Sequence, residues 1–183
     1  MDLRNRRRIQ LVLLAAVFVA PVAAALILGF LGWAPRAHSY GEPIQPERNL
    51  SGIPVTLANG EPFSWSNHDA VWTLVALPGP DCATRCLDEL DLVHRAQITL
   101  GEHAARLRLL YLGVAPAGAV ANGFGKVWTI ARATPSDALD GLRARGRDSV
   151  SAVLVTPTGR AFMRYGANFK ASGLRGDLAK VVY

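Results

Sequence analysis

The chain has 183 residues, half of them hydrophobic, with 20 Lys and Arg against 14 Asp and Glu. This composition excludes a disordered chain and suits one α/β domain with an ordinary core beside a short apolar segment. The basic excess does not mark a nucleic-acid binder: Arg4, Arg6, Arg7, Arg8 and Arg36 flank the apolar N-terminal stretch, and from Ala37 onward 15 Lys and Arg meet 13 Asp and Glu. Binding to nucleic acid would need a concentrated basic face with base-stacking aromatics.

Ile9 to Gly32 is a run of 24 residues without a charge, in which Gln10 is the only clearly polar side chain. As a helix it rises about 36 Å, enough for a bilayer core of about 30 Å. Pro21 would break a soluble helix but is tolerated in a membrane span. Trp33 stands where an amphipathic ring prefers the interface, and the arginines before the run keep the N-terminus in the cytoplasm. A cleaved signal peptide normally has a shorter apolar region, of about 7–15 residues. Residues 1–34 are therefore expected to be a cytoplasmic arm and a single-pass membrane anchor. Residues 35–50, with Pro35, Gly41, Pro43 and Pro46 and no apolar periodicity, read as a tether. Residues 51–183 read as one domain.

Within the domain, Ile53–Leu57, the turn signal Asn59-Gly60 and Pro62-Phe63-Ser64-Trp65 predict an opening hairpin. The continuous apolar run Val71–Leu77 predicts a strand buried on both faces, ended by Pro78-Gly79-Pro80. From about Cys82 to His103, Leu87, Leu90, Val93 and Ile98 recur at helical spacing. Leu107–Val114 predicts a second buried strand. Residues 117–140 give no clear period; Ser136-Asp137 suggests a cap for a short helix ending at Gly141. Val150–Val155 and Arg160–Tyr165, joined by Pro157-Thr158-Gly159, predict a hairpin, and Gly173 to Val182 a final amphipathic helix. A sheet with a parallel start, an antiparallel end and helices on both faces buries these elements.

The two cysteines, Cys82 and Cys86, follow a buried strand and open a helix. Unpaired N–H groups and the positive dipole end there favour a thiolate. Four residues apart on a helix, they lie close enough for a disulfide. The same geometry lets two thiolates hold copper(I). A loop this short removes little unfolded-state entropy, so a purely stabilising bridge explains the pair poorly. Histidine ligands are scarce. His38 lies in the tether, His94 and His103 lie along or beyond the helix, and His68 is the one spatially open candidate.

The segment Pro80-Asp81-Cys82-Ala83-Thr84-Arg85-Cys86-Leu87-Asp88-Glu89-Leu90 resembles the CxxxC block of the SCO/SenC family of cytochrome oxidase assembly proteins, in the thioredoxin-like superfamily. Leu109–Pro116 resembles the strand that follows in that family, and Val153–Gly159 its late hairpin. The resemblance implies an α/β, thioredoxin-like three-layer sandwich, a mixed sheet with helices on both faces, preceded by one transmembrane helix. It implies a periplasmic domain on a bacterial inner membrane. Its client would be a cytochrome oxidase subunit or another cysteine protein, served by thiol–disulfide exchange as an oxidoreductase or by copper delivery. Cys82 and Cys86 are then both the catalytic and the metal-binding candidates. Family members carry a proline after each cysteine, where this chain has Ala83 and Leu87. They also carry a copper-binding histidine before the late strand, where this chain reads Arg147-Asp148-Ser149-Val150-Ser151. No proline directly precedes Val150, where thioredoxins place a cis-proline. A non-catalytic assembly scaffold with a redox-inert domain is the alternative reading.

Overall fold

The apolar runs of the domain become adjacent strands, as elements buried on both faces must. The computed structural model describes residues 3–30, 39–116 and 123–182. In chain order they form α1 (Leu3–Phe30), β1 (Glu42–Asn49), β2 (Val55–Leu57), β3 (Trp72–Pro78), α2 (Thr84–Ile98), a 3₁₀ turn (Gly101–Arg106), β4 (Leu107–Leu112), α3 (Phe124–Val127), β5 (Thr129–Ala133), β6 (Val150–Val155), β7 (Arg160–Tyr165) and α4 (Ala171–Val182). They divide into two units, Met1–His38 and Ser39–Tyr183.

In the first unit, α1 (Leu3–Phe30) takes in residues 9–30 of the stretch expected to span a membrane and contains Pro21, and the last two residues of that stretch lie outside the described set. Leu13, Val17, Phe18, Val19, Val22 and Ile27 are all exposed. At about 100° per residue they point around the whole helix, which is therefore not amphipathic. Among the described residues, no helix is long and apolar enough to cross a membrane. The membrane span thus rests on the uncharged run in the sequence.

The second unit is one seven-stranded sheet in the order β1-β7-β6-β3-β4-β5-β2. β3 pairs parallel with β4 and antiparallel with β6, and β6 with β7, as the sequence suggests. The opening hairpin is present: Leu57 N–H donates to Glu61 O at 2.8 Å and Phe63 N–H to Val55 O at 2.8 Å. Gly60 takes the positive φ of its turn, 89°, a conformation open to glycine at no steric cost.

Three features depart from the sequence reading. Part of the stretch read as a tether, Glu42–Asn49, is the edge strand β1, antiparallel to β7 with an irregular register between Pro43 and Arg48. Proline is compatible with such an edge, where its missing N–H is not needed by a neighbour. The ambiguous region holds β5, which bridges β4 and β2. Residues 136–142 form successive turns in place of a capped helix, while residues 117–122 of that region lie outside the described set. The two sheet faces also differ. Leu74, Ala76, Leu109 and Tyr111 face the core shared with Leu90 and Val93 of α2 and Leu174 and Leu178 of α4. Val75, Leu77, Leu110 and Val153 face a second core closed by Val55 and Trp65 of the hairpin region and by Leu139 and Leu142 of the turns. The mixed sheet with helices is as expected, but α2 and α4 share one face and the second layer is loops.

One buried charge registers α2 on the sheet. Glu89 is 6% exposed. Its carboxylate accepts the Val150 N–H at 3.0 Å and the Asn168 N–H at 3.1 Å. Glu89→Ala should destabilise the protein by about 1–3 kcal/mol for each donor left buried and unmet. Glu89→Gln, which keeps one acceptor oxygen, should lose distinctly less. Urea unfolding followed by tryptophan fluorescence checks this; equal losses for both variants would show that the two acceptor bonds are not what Glu89 contributes.

Candidate functional site

Because β3 and β4 are parallel, their C-terminal ends lie at one edge of the sheet, and antiparallel β6 begins there. The loop after β3 carries Cys82, and α2 starts two residues later at Thr84. Cys82 therefore precedes the helix and only Cys86 lies in its first turn, whereas the sequence reading put both on the helix. The pair is joined as a disulfide, with an S–S distance of 1.97 Å and Cα atoms 5.1 Å apart. The two residues are not equivalent. Cys86 is fully buried within the α2/α4 core, while Cys82 is half-buried at its margin.

Beside Cys82 opens a groove of about 380 Å³, lined by Pro78, Gly79, Pro80, Tyr111, Val114 and Arg143 among others. Arg143 ties its walls together, donating to Pro78 O at 3.1 Å and to Asp140 Oδ1 at 3.2 Å. Tyr111 forms part of the floor and donates its hydroxyl to Val114 O at 3.2 Å. Burial pushes its phenol up to about 12, and the Arg143 charge opposes that shift only in part.

The residue that organises the site is Asp148. Its Oδ1 accepts the Ala83 N–H at 2.8 Å and the Cys86 N–H at 2.9 Å, and its Oδ2 accepts the Arg85 N–H at 3.0 Å. Ala83, the residue at the cap position of α2, makes no side-chain cap bond. A residue 65 positions away thus supplies the cap that Ala83 cannot. Two backbone bonds hold the loop of Asp148 against the loop after β3: Gly79 N–H to Ser149 O at 2.8 Å and Asp81 N–H to Arg147 O at 2.9 Å. Arg147 also pairs with the Asp81 carboxylate at 2.7 Å. A Cβ on Gly79 would sit 2.0 Å from Gly146 O, so this approach requires glycine.

In the segment 147–151, where the family resemblance points to a histidine, Asp148 does not stand out in the sequence. The available signal was an Asp just before an apolar strand, but nothing local says which helix end it serves. Glu89 was missed for a related reason, since as one of several acids on a helix it reads as solvated.

The other candidates do not gather here. His68 precedes β3, so it lies at the far end of that strand from Cys82, about 23 Å away for a seven-residue strand. His94 lies eight residues beyond Cys86 in α2, about 12 Å along the axis, and His103 lies in the 3₁₀ turn after α2. Among the described residues no group of three His, Cys, Asp or Glu is placed to hold an ion. The pair offers two soft sulfurs, whereas Asp148 is a hard donor whose oxygens already accept N–H groups. This donor set does not fit a three-ligand copper(I) centre.

The Asp148 carboxyl is held below the ordinary aspartate range. The Cys86 N–H bond lowers it most. Partial desolvation works against that shift, and the Ala83 and Arg85 N–H bonds and the Arg85 charge add to it. A depressed folded value makes the cap fully effective above the unfolded value of about 3.9 and loses it as pH falls through the folded value. Wild type should therefore melt higher than Asp148→Asn at neutral pH, and the gap should close in acid. A pH-independent gap in thermal midpoint would exclude an ionised cap.

No curated protein matches the sequence. The solved structures it resembles include BsSco, a member of the Sco family of cytochrome c oxidase assembly proteins in which a disulfide switch was identified. That match has a TM-score of 0.53 and 15% identity, covering 78% of this chain and 96% of that one. The apo Sco protein of Thermus thermophilus matches with a TM-score of 0.56 and 16% identity over 81% of this chain and 98% of that one. The copper-bound ScoI of Arabidopsis thaliana matches with a TM-score of 0.50 and 14% identity over 79% and 98%. Likeness at these identities establishes a shared thioredoxin-like fold. The family profile described as "Transmembrane-like, thioredoxin-like, C-terminal domain" matches residues 72–182, the span from β3 to the end of α4. By that match over more than half of its length, the chain belongs to this thioredoxin-like family.

Proposed function

We propose that the domain performs thiol–disulfide exchange through Cys82 and Cys86 during maturation of a respiratory oxidase, on the periplasmic side of a bacterial inner membrane. The observation that carries this reading is the uneven disulfide: one sulfur residue half-buried beside an open groove, the other sealed in the core. Exchange needs an accessible sulfur to meet the client and a protected one to complete the reaction. Cys82 is the attacking residue. Its thiolate attacks a client disulfide and expels one client thiolate. Cys86 then attacks Cys82 Sγ and releases the second. The oxidase client is inferred from BsSco, which belongs to a family of cytochrome c oxidase assembly proteins. Copper delivery is the weaker reading, because among the described residues no third ligand joins the two sulfurs.

The purified protein should equilibrate with glutathione redox buffers between disulfide and dithiol forms, resolved by alkylation and mass. Cys86→Ser should accumulate mixed disulfides with its client, and Cys82→Ser should accumulate none. In cells, Cys82→Ser/Cys86→Ser should fail to restore oxidase activity to a deletion strain. Full restoration would transfer the function to a redox-inert scaffold.

The uncharged run Ile9–Gly32 behind four arginines supports the reading of the N-terminal segment as a membrane anchor with its N-terminus in the cytoplasm. The protein should stay in the membrane pellet after alkaline carbonate extraction, and a C-terminal alkaline phosphatase fusion should be active. Release into the carbonate supernatant would remove the anchor from the proposal.

A further inference from the structure

We propose that Asp148 biases the Cys82–Cys86 pair toward its disulfide, so that the dithiol form acts as a reductant of client disulfides. This rests on the exchange reading above and adds its direction. Helix-opening cysteines are usually easy to reduce because first-turn N–H groups stabilise the thiolate. Here Ala83, Arg85 and Cys86 give those N–H groups to the Asp148 carboxylate at 2.8, 3.0 and 2.9 Å. The donors that would favour the reduced pair are occupied, and a full negative charge stands in the thiolate's place.

The surrounding charges do not cancel it. Arg147 pairs with Asp81 at 2.7 Å. Arg85, whose charge also acts on Asp148, lies 3.8 Å from Glu89. Three carboxylates therefore meet two guanidinium groups around the pair. Across the groove, Arg143 pairs with Asp140, and Asp137 adds a further acid to the rim. Arg85, Arg143 and Arg147 each already face a carboxylate, so none of these three is a spare positive partner for a thiolate at Cys82. The disulfide is neutral and escapes this penalty.

The step balances as a two-electron transfer. The Cys82 thiolate forms a bond to one sulfur of the client disulfide, whose S–S bond breaks. Cys86 displaces that sulfur to form Cys82–Cys86. The two protons of the pair pass to the two client thiolates. The client disulfide is reduced and the pair oxidised; an upstream protein dithiol returns it to the reduced form.

The test measures the equilibrium constant of the full-length protein against reduced and oxidised glutathione, for wild type, Asp148→Asn and Asp148→Ser. Both substitutes are neutral and keep a capping oxygen. Each should shift the equilibrium about tenfold toward the dithiol, an upward potential change of about 30 mV. Variants that lower the melting temperature but leave the equilibrium within about twofold of wild type would reduce Asp148 to a structural cap and overturn the inference. A shift toward the disulfide would overturn it equally. If the wild-type pair fails to equilibrate at all, the exchange reading falls first and this inference with it.

Discussion

The contact between the Asp148 carboxylate and the first turn of α2 is the constraint on which the site depends. It joins two segments that the chain brings together only through the sheet. β3 and β6 are antiparallel neighbours, so the end of β3 meets the beginning of β6. The Gly79–Ser149 and Asp81–Arg147 backbone bonds carry that pairing past the last ladder residues. Asp148 projects from this extension onto the helix tip. Glu89, one turn further along α2, binds Val150 on the same strand. Two carboxylates, one on each side of the junction, thus fix α2 to the sheet and set where Cys86 enters the core.

The disulfide follows from that placement. With α2 docked by Glu89 and by the apolar face of Leu90 and Val93, Cys86 lies under the helix, and only Cys82, still in the loop, stays near solvent. The inequality of the two residues is therefore a consequence of where the helix begins. Had the helix started two residues earlier, both cysteines would lie on it one turn apart, as the spacing alone suggests. Thr84 begins it instead because the N–H groups of Ala83, Arg85 and Cys86 are met from outside, by Asp148.

What the sequence revealed, and what it hid, divides along the same line. β3, β4, β6, β7 and α4 were legible because each buries an apolar face at its own period, which needs no knowledge of partners. The nearness of Cys82 and Cys86 was legible because it is local. β1 was hidden because its prolines and charges, suited to an edge, resemble those of a linker. β5 was hidden by its shortness and mixed burial, although Val127-Trp128-Thr129-Ile130 carries the aromatic and β-branched character of a strand. Asp148 and Glu89 were hidden because their partners lie more than sixty residues away, and a lone acid gives no sign of what it accepts. Periodicity reports burial; it does not report which polar group answers which.

The end of the sheet that carries the pair is also where the connections converge. The segment after β3, the segment after β4, the turns after β5 and the loop before β6 all border the groove or the disulfide. In an open α/β sheet this is the edge where chemistry collects, because loop residues there can change without disturbing the ladders beneath. That separation explains how the chain keeps a thioredoxin-like sheet while lacking the prolines, and the histidine, that its resemblance to the SCO/SenC family would place around the cysteines. The fold asks only that the end of β3 approach the start of β6, which Gly79 permits and the ladder enforces. Which side chain the β6 loop then directs at the helix tip is free to vary, and in this chain that side chain is a carboxylate.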